Sequence, residues 1–204
     1  PESIALYDQT IAACEALGAP VERAWAELHR AEALARSGQP GLAAQGLGRA
    51  RELLVTHGSA VGPTLADLRL ADLRLELGDV DGAAALARDA AVAFADAGID
   101  GWRAEAELLT ARVLVAQGRD DDALQSMQRT LQAATALPEP TVACRTAIGR
   151  LLQRRGRTAE AREHFELAAQ LMEQQRARLP GDEFRIAYLA DRQPALDALV
   201  ELAC

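Results

Sequence analysis

The chain has 204 residues, a length that suits one globular domain or one repeat array. Half of it is hydrophobic, alanine and leucine dominate and only seven residues are aromatic, which fits close helix–helix packing and argues against a β-sandwich, whose strands draw on β-branched and aromatic side chains. The formal charge is −8, and residues 1–100 hold most of it, with 15 acidic residues against 8 Arg. Such a surface repels phosphate backbones, so nucleic acid is not an expected partner.

Taken in chain order, the pattern predicts helices over 2–17, 21–37, 40–57, 63–77, 80–97, 101–117, 120–136, 141–155 and 158–178. Two interleaved glycine series punctuate them. Gly38, Gly78, Gly118 and Gly156 are spaced 40, 40 and 38 residues apart; Gly18, Gly58 and Gly98 are also 40 apart, offset by 20, and that series ends at Leu137-Pro138. Glycine closes a helix cheaply because it enters the left-handed cap conformation without a Cβ penalty. Pro20, Pro40, Pro63 and Pro140 fall near first-turn positions, and Asp79, Asp120 and Thr158 are expected to cap the helices that follow them. Gly46 and Gly48 sit inside a helix, where each weakens it by about 1 kcal/mol relative to alanine unless backbones approach closely there.

Two series at half a common period describe a helical hairpin repeated four times. Self-similarity at this length signals a solenoid, in which a unit buries its apolar face only by stacking on the next. The expected organisation is a half repeat at 1–18, hairpins at 20–58, 62–98, 101–137 and 140–179, and a helical junction segment at 180–204. The chain opens at Pro1, inside a repeat and without methionine, and is expected to be a piece of a longer protein.

Alignment on the first glycine series exposes further recurrences. Seven residues before each glycine stand Ala31, Ala71, Ala111 and Gly149; five after it, Ala43, Ala83, Ala123 and Ala161; twelve after it, Ala50, Ala90, Thr130 and Ala168. Small residues recur because neighbouring helices approach too closely there for larger ones. Nine after the glycine, Leu47, Ala87, Met127 and Phe165 fill the remaining gap, and Tyr7 takes that slot in the leading helix. The arrangement resembles the tetratricopeptide repeat (TPR), over roughly residues 1–178. The resemblance implies an all-α, right-handed α-solenoid of TPR-like hairpins that binds protein or peptide in its concave groove. Two departures stand out: the period is near 40 where the family's is about 34, and a position the family usually fills with a bulky side chain holds Glu27, Asp67, Glu107 and Arg145.

Helix 63–77 has two apolar stripes, Ala66/Leu70/Leu73/Leu77 and Leu68/Ala71/Leu75. Polar strips separate them, Asp67 with Arg74 on one side and Arg69, Asp72 and Glu76 on the other. A helix apolar on two faces packs on two neighbours. The family resemblance implies that the second polar strip lines the groove. Carried along the array it reads Trp25, His29, Glu32, Arg36; Leu65, Arg69, Asp72, Glu76; Glu105, Leu109, Arg112, Ala116; and Ala143, Ala147, Arg150, Arg154. With Arg145, Arg155 and Arg157 nearby, the last unit reads as a basic end, suited to an acidic segment of an extended or helical peptide. A solvated face with weak local ion pairs is the competing reading.

Chemistry is sparse. No His sits with Cys, Asp or Glu at ligand spacing; His57 reads as a helix C-terminal cation and His164 as a surface residue. Asp120-Asp121-Asp122 lacks the glycine and distal glutamate of a calcium loop, and Gly46-Leu47-Gly48 follows no strand, so it is no dinucleotide site. No enzyme activity, metal or cofactor is expected of this chain. Cys14, Cys144 and Cys204 show no metal-like spacing, which points to a reducing, cytoplasmic setting. No apolar run reaches the roughly 18 residues of a membrane span, so no membrane partner is expected.

After Leu179-Pro180-Gly181 the repeat breaks. Arg185, then Tyr188-Leu189-Ala190-Asp191-Arg192, then an apolar helix Leu196–Leu202, is similar to the junction of bacterial CHAT proteins, in which a tetratricopeptide array precedes a caspase-like Cys/His peptidase domain. That resemblance implies a sensor or regulatory arm, with catalytic residues lying beyond Cys204. The alternatives are the sensor region of a large nucleotide-dependent bacterial transcription regulator, and a homo-oligomerisation module that self-associates weakly through cut repeat ends.

Overall fold

The computed structural model describes residues 2–180; the junction segment, with the 185–202 motif and Cys204, lies outside the described residues. Among the described residues there are nine helices and no strand. They are α1 (Glu2–Leu17), α2 (Pro20–Arg36), α3 (Pro40–Thr56), α4 (Gly62–Glu76), α5 (Val80–Asp96), α6 (Asp100–Ala116), α7 (Asp120–Ala133), α8 (Pro138–Arg154) and α9 (Thr158–Ala177). The all-α class expected from the glycine period is what forms. Two compact units result, one up to Val113 and one from Leu114 on.

Glycine sets the helix ends. Gly18, Gly38, Gly58, Gly78, Gly98, Gly118 and Gly156 all have φ between 65° and 84°. At the end of α2 the Gly38 N–H donates to the Ala35 carbonyl (3.0 Å) and the Gln39 N–H to that of Leu34 (2.9 Å). This double closure, a Schellman motif, satisfies carbonyls a bare helix end would leave unpaired. α1, α3, α4, α5, α6 and α8 end the same way. A β-carbon at φ near +70° meets its own backbone, which is why the series is glycine.

The helix starts correct the expectation in two places. Asp79 does cap α5, accepting from the Gly82 N–H at 3.0 Å. Asp120 and Thr158 do not cap; they are the first helical residues, and Arg119 and Arg157 stand in the cap position without a side-chain cap bond. The cap falls one residue after the closing glycine, so Gly78-Asp79 places a carboxylate there whereas Gly118-Arg119 and Gly156-Arg157 do not. α8 also starts earlier than expected, at Pro138, because both Pro138 and Pro140 fit a first turn. Leu137, held extended ahead of proline (φ −111°, ψ 101°), ends the connection. α7 stops correspondingly early, and the Thr141 hydroxyl donates to the Ala134 carbonyl at 2.7 Å.

In the first unit α1 packs on α2, α2 on α3, α3 on α4 and α4 on α5. Leu28, Leu34, Leu47, Leu65, Leu68, Leu73, Phe94, Ala106 and Leu109 share one core. In the second unit α7 packs on α8 and α8 on α9; Val142, Ala168 and Met172 form a core cluster there, and Ile148 and Phe165 are fully buried. Every small residue of the recurring positions is buried in both units. The anomalous acids are paired. Glu27 is 5% exposed, with Arg49 at 3.1 Å and Arg23 at 3.5 Å; Asp67 accepts from Arg51 Nε through both carboxylate oxygens at 2.8 and 2.9 Å. An ion pair between helices therefore holds each of these two positions.

Three interior glycines separate into two cases. A Cβ on Gly46 would lie 3.0 Å from the Ala31 Cβ, and one on Gly149 would lie 2.6 Å from the Phe165 ring. At Gly48 it would meet nothing within 4 Å, so close approach does not explain that glycine. Gly149 stands where the other hairpins carry alanine because Phe165 is the bulky aromatic of its own recurring position.

Gly149→Ala is therefore expected to destabilise the chain by about 1–3 kcal/mol, although helix propensity alone favours alanine by about 1 kcal/mol. Adding Phe165→Met, the residue type found at position 127, should recover most of the loss. Gly48→Ala, in open space, should stabilise by about 1 kcal/mol. Denaturant unfolding of the three variants checks all of these signs.

Candidate functional site

The strip predicted to line a groove forms one surface on the first unit. Arg69 on α4 donates from Nε to Glu32 of α2 at 2.7 Å and from its terminal nitrogen to Glu105 of α6. Arg112 of α6 donates to Asp72 of α4 at 2.6 Å. His29 Nδ1 lies 3.1 Å from the Glu32 carboxylate. These contacts tie the leading helices of three successive hairpins across one face. The Arg69 guanidinium is held above its ordinary pKa: burial opposes the charge, but attraction to and hydrogen bonding with Glu105, and then with Glu32, outweigh it. The other polar strip of α4 turns elsewhere, with Asp67 on Arg51 of α3 and Arg74 3.8 Å from Asp79 at the start of α5.

At the α1 end of this face Tyr7 and Trp25 both stack on His29, with ring centroids 6.2 and 6.4 Å apart and planes within 30° of parallel. Tyr7 was expected only to fill a packing slot; the cluster it forms with His29 joins helices and is not visible in the repeat frame. Between α2 and α4 lies a cavity of about 350 Å³ lined by Ala31, Glu32, Ala35, Arg36, Leu47, Arg69, Asp72, Leu73 and Glu76. Its floor is apolar and its walls are the charged strip. A second cavity of about 490 Å³, lined by residues including Arg51, Asp67, Leu70, Leu86 and Asp89, faces α3 and α5.

Leu109, expected in the strip, is only 4% exposed and belongs to the core, as does Leu65. An apolar side chain at a strip position gains more by turning between helices than by facing water. Of the other strip residues, Trp25 is half-buried, and His29, Arg36 and Glu76 are exposed.

In the second unit the arginines expected to form a basic end are largely matched by acids. Arg154 lies 3.4 Å from Asp120, Arg155 2.7 Å from Asp121 and Arg157 2.6 Å from Glu160. The three consecutive aspartates at the start of α7 thus balance positive charge on and after α8, and Arg119 pairs with Asp122 at 2.6 Å. The Arg157–Glu160 hydrogen bond raises the pKa of the arginine and lowers that of the glutamate. Arg150 is exposed on α8. His164, expected at the surface, is half-buried with Nδ1 enclosed and lacking a hydrogen-bond partner. Burial pushes its imidazole below the ordinary value and Arg145 pushes the same way, against Glu163 and Glu160. His57 occupies the C-cap of α3. Among the described residues no group of His, Cys, Asp and Glu could hold a metal ion, and no helix is long and apolar enough to cross a membrane.

Residues 102–174 match the tetratricopeptide repeat family. No curated protein sequence matches the chain. Among solved structures it is similar to a kinesin-light-chain-type protein of Podosopora anserina with nearly identical TPR-like repeats, at 17% identity and a TM-score of 0.61, over 86% of this chain and 88% of that one. A Rap protein complexed with Competence and Sporulation Factor aligns at 16% identity and a TM-score of 0.65, over 98% of this chain and 59% of the Rap chain. BtubC (BKLC) from P. vanneervenii aligns at 15% identity and a TM-score of 0.61, over 79% and 68%. These likenesses establish the TPR-like α-solenoid fold.

Arg69→Ala should destabilise the chain by about 1–2 kcal/mol, since it strands two partly buried carboxylates, whereas Arg112→Ala, in a more exposed pair, should cost about 0.5 kcal/mol. Thermal unfolding at fixed pH compares them. His164 predicts a pH dependence of definite sign. Its folded pKa lies below the unfolded value near 6.5, so its neutral form is favoured by folding. That contribution is complete above about pH 6.5 and is lost as pH falls toward the depressed folded pKa, because the unfolded chain binds a proton the folded chain resists. His164→Gln should flatten the fall of the unfolding midpoint as pH drops below about 6.5.

Proposed function

We propose that this chain, a tetratricopeptide repeat array, is a non-catalytic scaffold that binds a protein or peptide on the face shared by α2, α4 and α6. One observation carries the reading. The ions of that face are spent on each other through Glu32, Arg69, Glu105, Asp72 and Arg112, so the surface is ordered before any ligand arrives, and it flanks an apolar-floored cavity. Preorganisation reduces the entropy lost on binding. A cavity of this size takes a side chain of a partner segment, within the range of binding pockets generally. The Rap neighbour, solved in complex with Competence and Sporulation Factor, supports a binding role for the fold. The aspartates that balance Arg154 and Arg155 make the second unit a weaker attractor for acidic peptide than the arginine count alone suggests. The similarity of residues 185–202 to the CHAT junction supports a finer reading, in which the array is the regulatory arm of a caspase-like peptidase protein.

Ala35 lines the cavity and is half-buried, so Ala35→Gln fills it without removing a charge. Partner capture by the whole chain should fall about tenfold or more with Ala35→Gln, equivalent to roughly 1.4 kcal/mol, and survive Asp89→Gln in the second cavity. Capture that survives Ala35→Gln and is lost with Asp89→Gln would place the binding face on α3 and α5 instead.

A further inference from the structure

The charges around the α2–α4 cavity are not equivalent. Glu32, Arg69 and Asp72 each have a partner within the face. Arg36 and Glu76 line the same cavity, are exposed, and have neither an ion pair nor a side-chain hydrogen bond among the described residues. They hold corresponding places, 40 residues apart, at the last turns of α2 and α4. The cavity therefore has one unsatisfied positive rim on α2, one unsatisfied negative rim on α4, and Ala31, Ala35, Leu47 and Leu73 beneath.

We infer that this cavity selects an extended peptide segment that places one apolar side chain between an acidic and a basic one. The inference deepens the proposed peptide-binding role and rests on it. Charge complementarity fixes the occupant. A ligand gains nothing by competing for Arg69 or Asp72, whose partners are already in place, and gains most from the two rim groups that have none. The guanidinium of Arg36 suits a carboxylate, which it meets with two parallel hydrogen bonds, and the carboxylate of Glu76 suits a cation. A segment of one charge sign satisfies one rim and is repelled by the other.

Spacing follows from elementary geometry. Packed helices lie with axes about 8–10 Å apart. Alternate side chains of an extended peptide emerge on one face at steps of about 7 Å. A residue at position i+2 dropping into the cavity leaves i and i+4 on the same face, about 13 Å apart, and the long side chains of Arg36 and Glu76 reach them from neighbouring helices. The expected pattern is acidic–x–apolar–x–basic, read in either chain direction, with a leucine- or methionine-sized residue at the centre.

The test pans the whole chain against a randomised peptide display library, then measures synthetic peptides of the form Ser-Glu-Ser-Leu-Ser-Arg-Ser by fluorescence anisotropy. Enrichment of the acidic–apolar–basic pattern is expected, with about tenfold weaker binding when the peptide Glu becomes Arg. Arg36→Glu should invert that preference toward basic–apolar–basic peptides. Arg36→Gln, which keeps the helix end free of a new charge, should abolish the acidic preference without inverting it; circular dichroism confirms that both variants fold. Enriched peptides whose binding is lost with Ala35→Gln but unchanged by Arg36→Glu and Glu76→Arg would overturn the charge rule while leaving the groove intact. No enrichment, or enrichment indifferent to all of these substitutions, would overturn both the rule and the proposed function.

Discussion

Close approach of helices is the constraint on which everything else depends. Ala31, Ala43, Ala50, Ala71, Ala83, Ala87 and Ala90 in the first unit, and Ala123, Ala161 and Ala168 in the second, are all at most 2% exposed. None offers much area, and each contributes by what it leaves out: a larger side chain at any of them would push neighbouring helices apart and forfeit the contacts along both. Gly46 against Ala31 and Gly149 against Phe165 carry the same logic further: a methyl group at Gly46 would be tight, and one at Gly149 would overlap the Phe165 ring. The near-40-residue period is the spacing at which that requirement recurs.

The proposed binding face follows from the same register. In the first unit α2, α4 and α6 present corresponding residues on one face, and Arg69 of α4 comes within reach of acids on α2 and α6 at once. An arginine bridging two carboxylates loses little by being partly buried, since both neighbours favour its charge. The ladder therefore fixes the orientation of the strip as well as contributing to stability. Among the described residues around the α2–α4 cavity it leaves Arg36 and Glu76 without an ion pair, and these are the groups the proposed ligand would meet.

Much of this was legible in the residues. The glycine series marked the helix ends because positive φ is a demand only glycine meets cheaply, and the recurring alanines marked the contacts because size there is decisive. Less legible was anything set by long side chains. The repeat frame put Arg69, Glu32 and Glu105 on one strip but could not say which acid each arginine would reach, and it read Arg154 and Arg155 as a basic end because the α7 aspartates were assigned to a helix start and not to a partner. Leu109 was misplaced for a related reason: strip membership fixes where a Cα lies, while apolarity decides that the side chain turns inward. Asp120 missed the cap by one residue, an offset visible only once the glycine closure sets the cap position.

The proposed scaffold acts through the geometry of one face, so the position of that face is what distinguishes it. The most direct test is amide hydrogen exchange of the whole chain with and without a bound peptide drawn from the display selection. Added protection is expected in the second halves of α2 and α4, around Ala35 and Leu73, with α5 unchanged around Asp89. Protection centred on α3 and α5, leaving α2 and the end of α4 as they were, would contradict it.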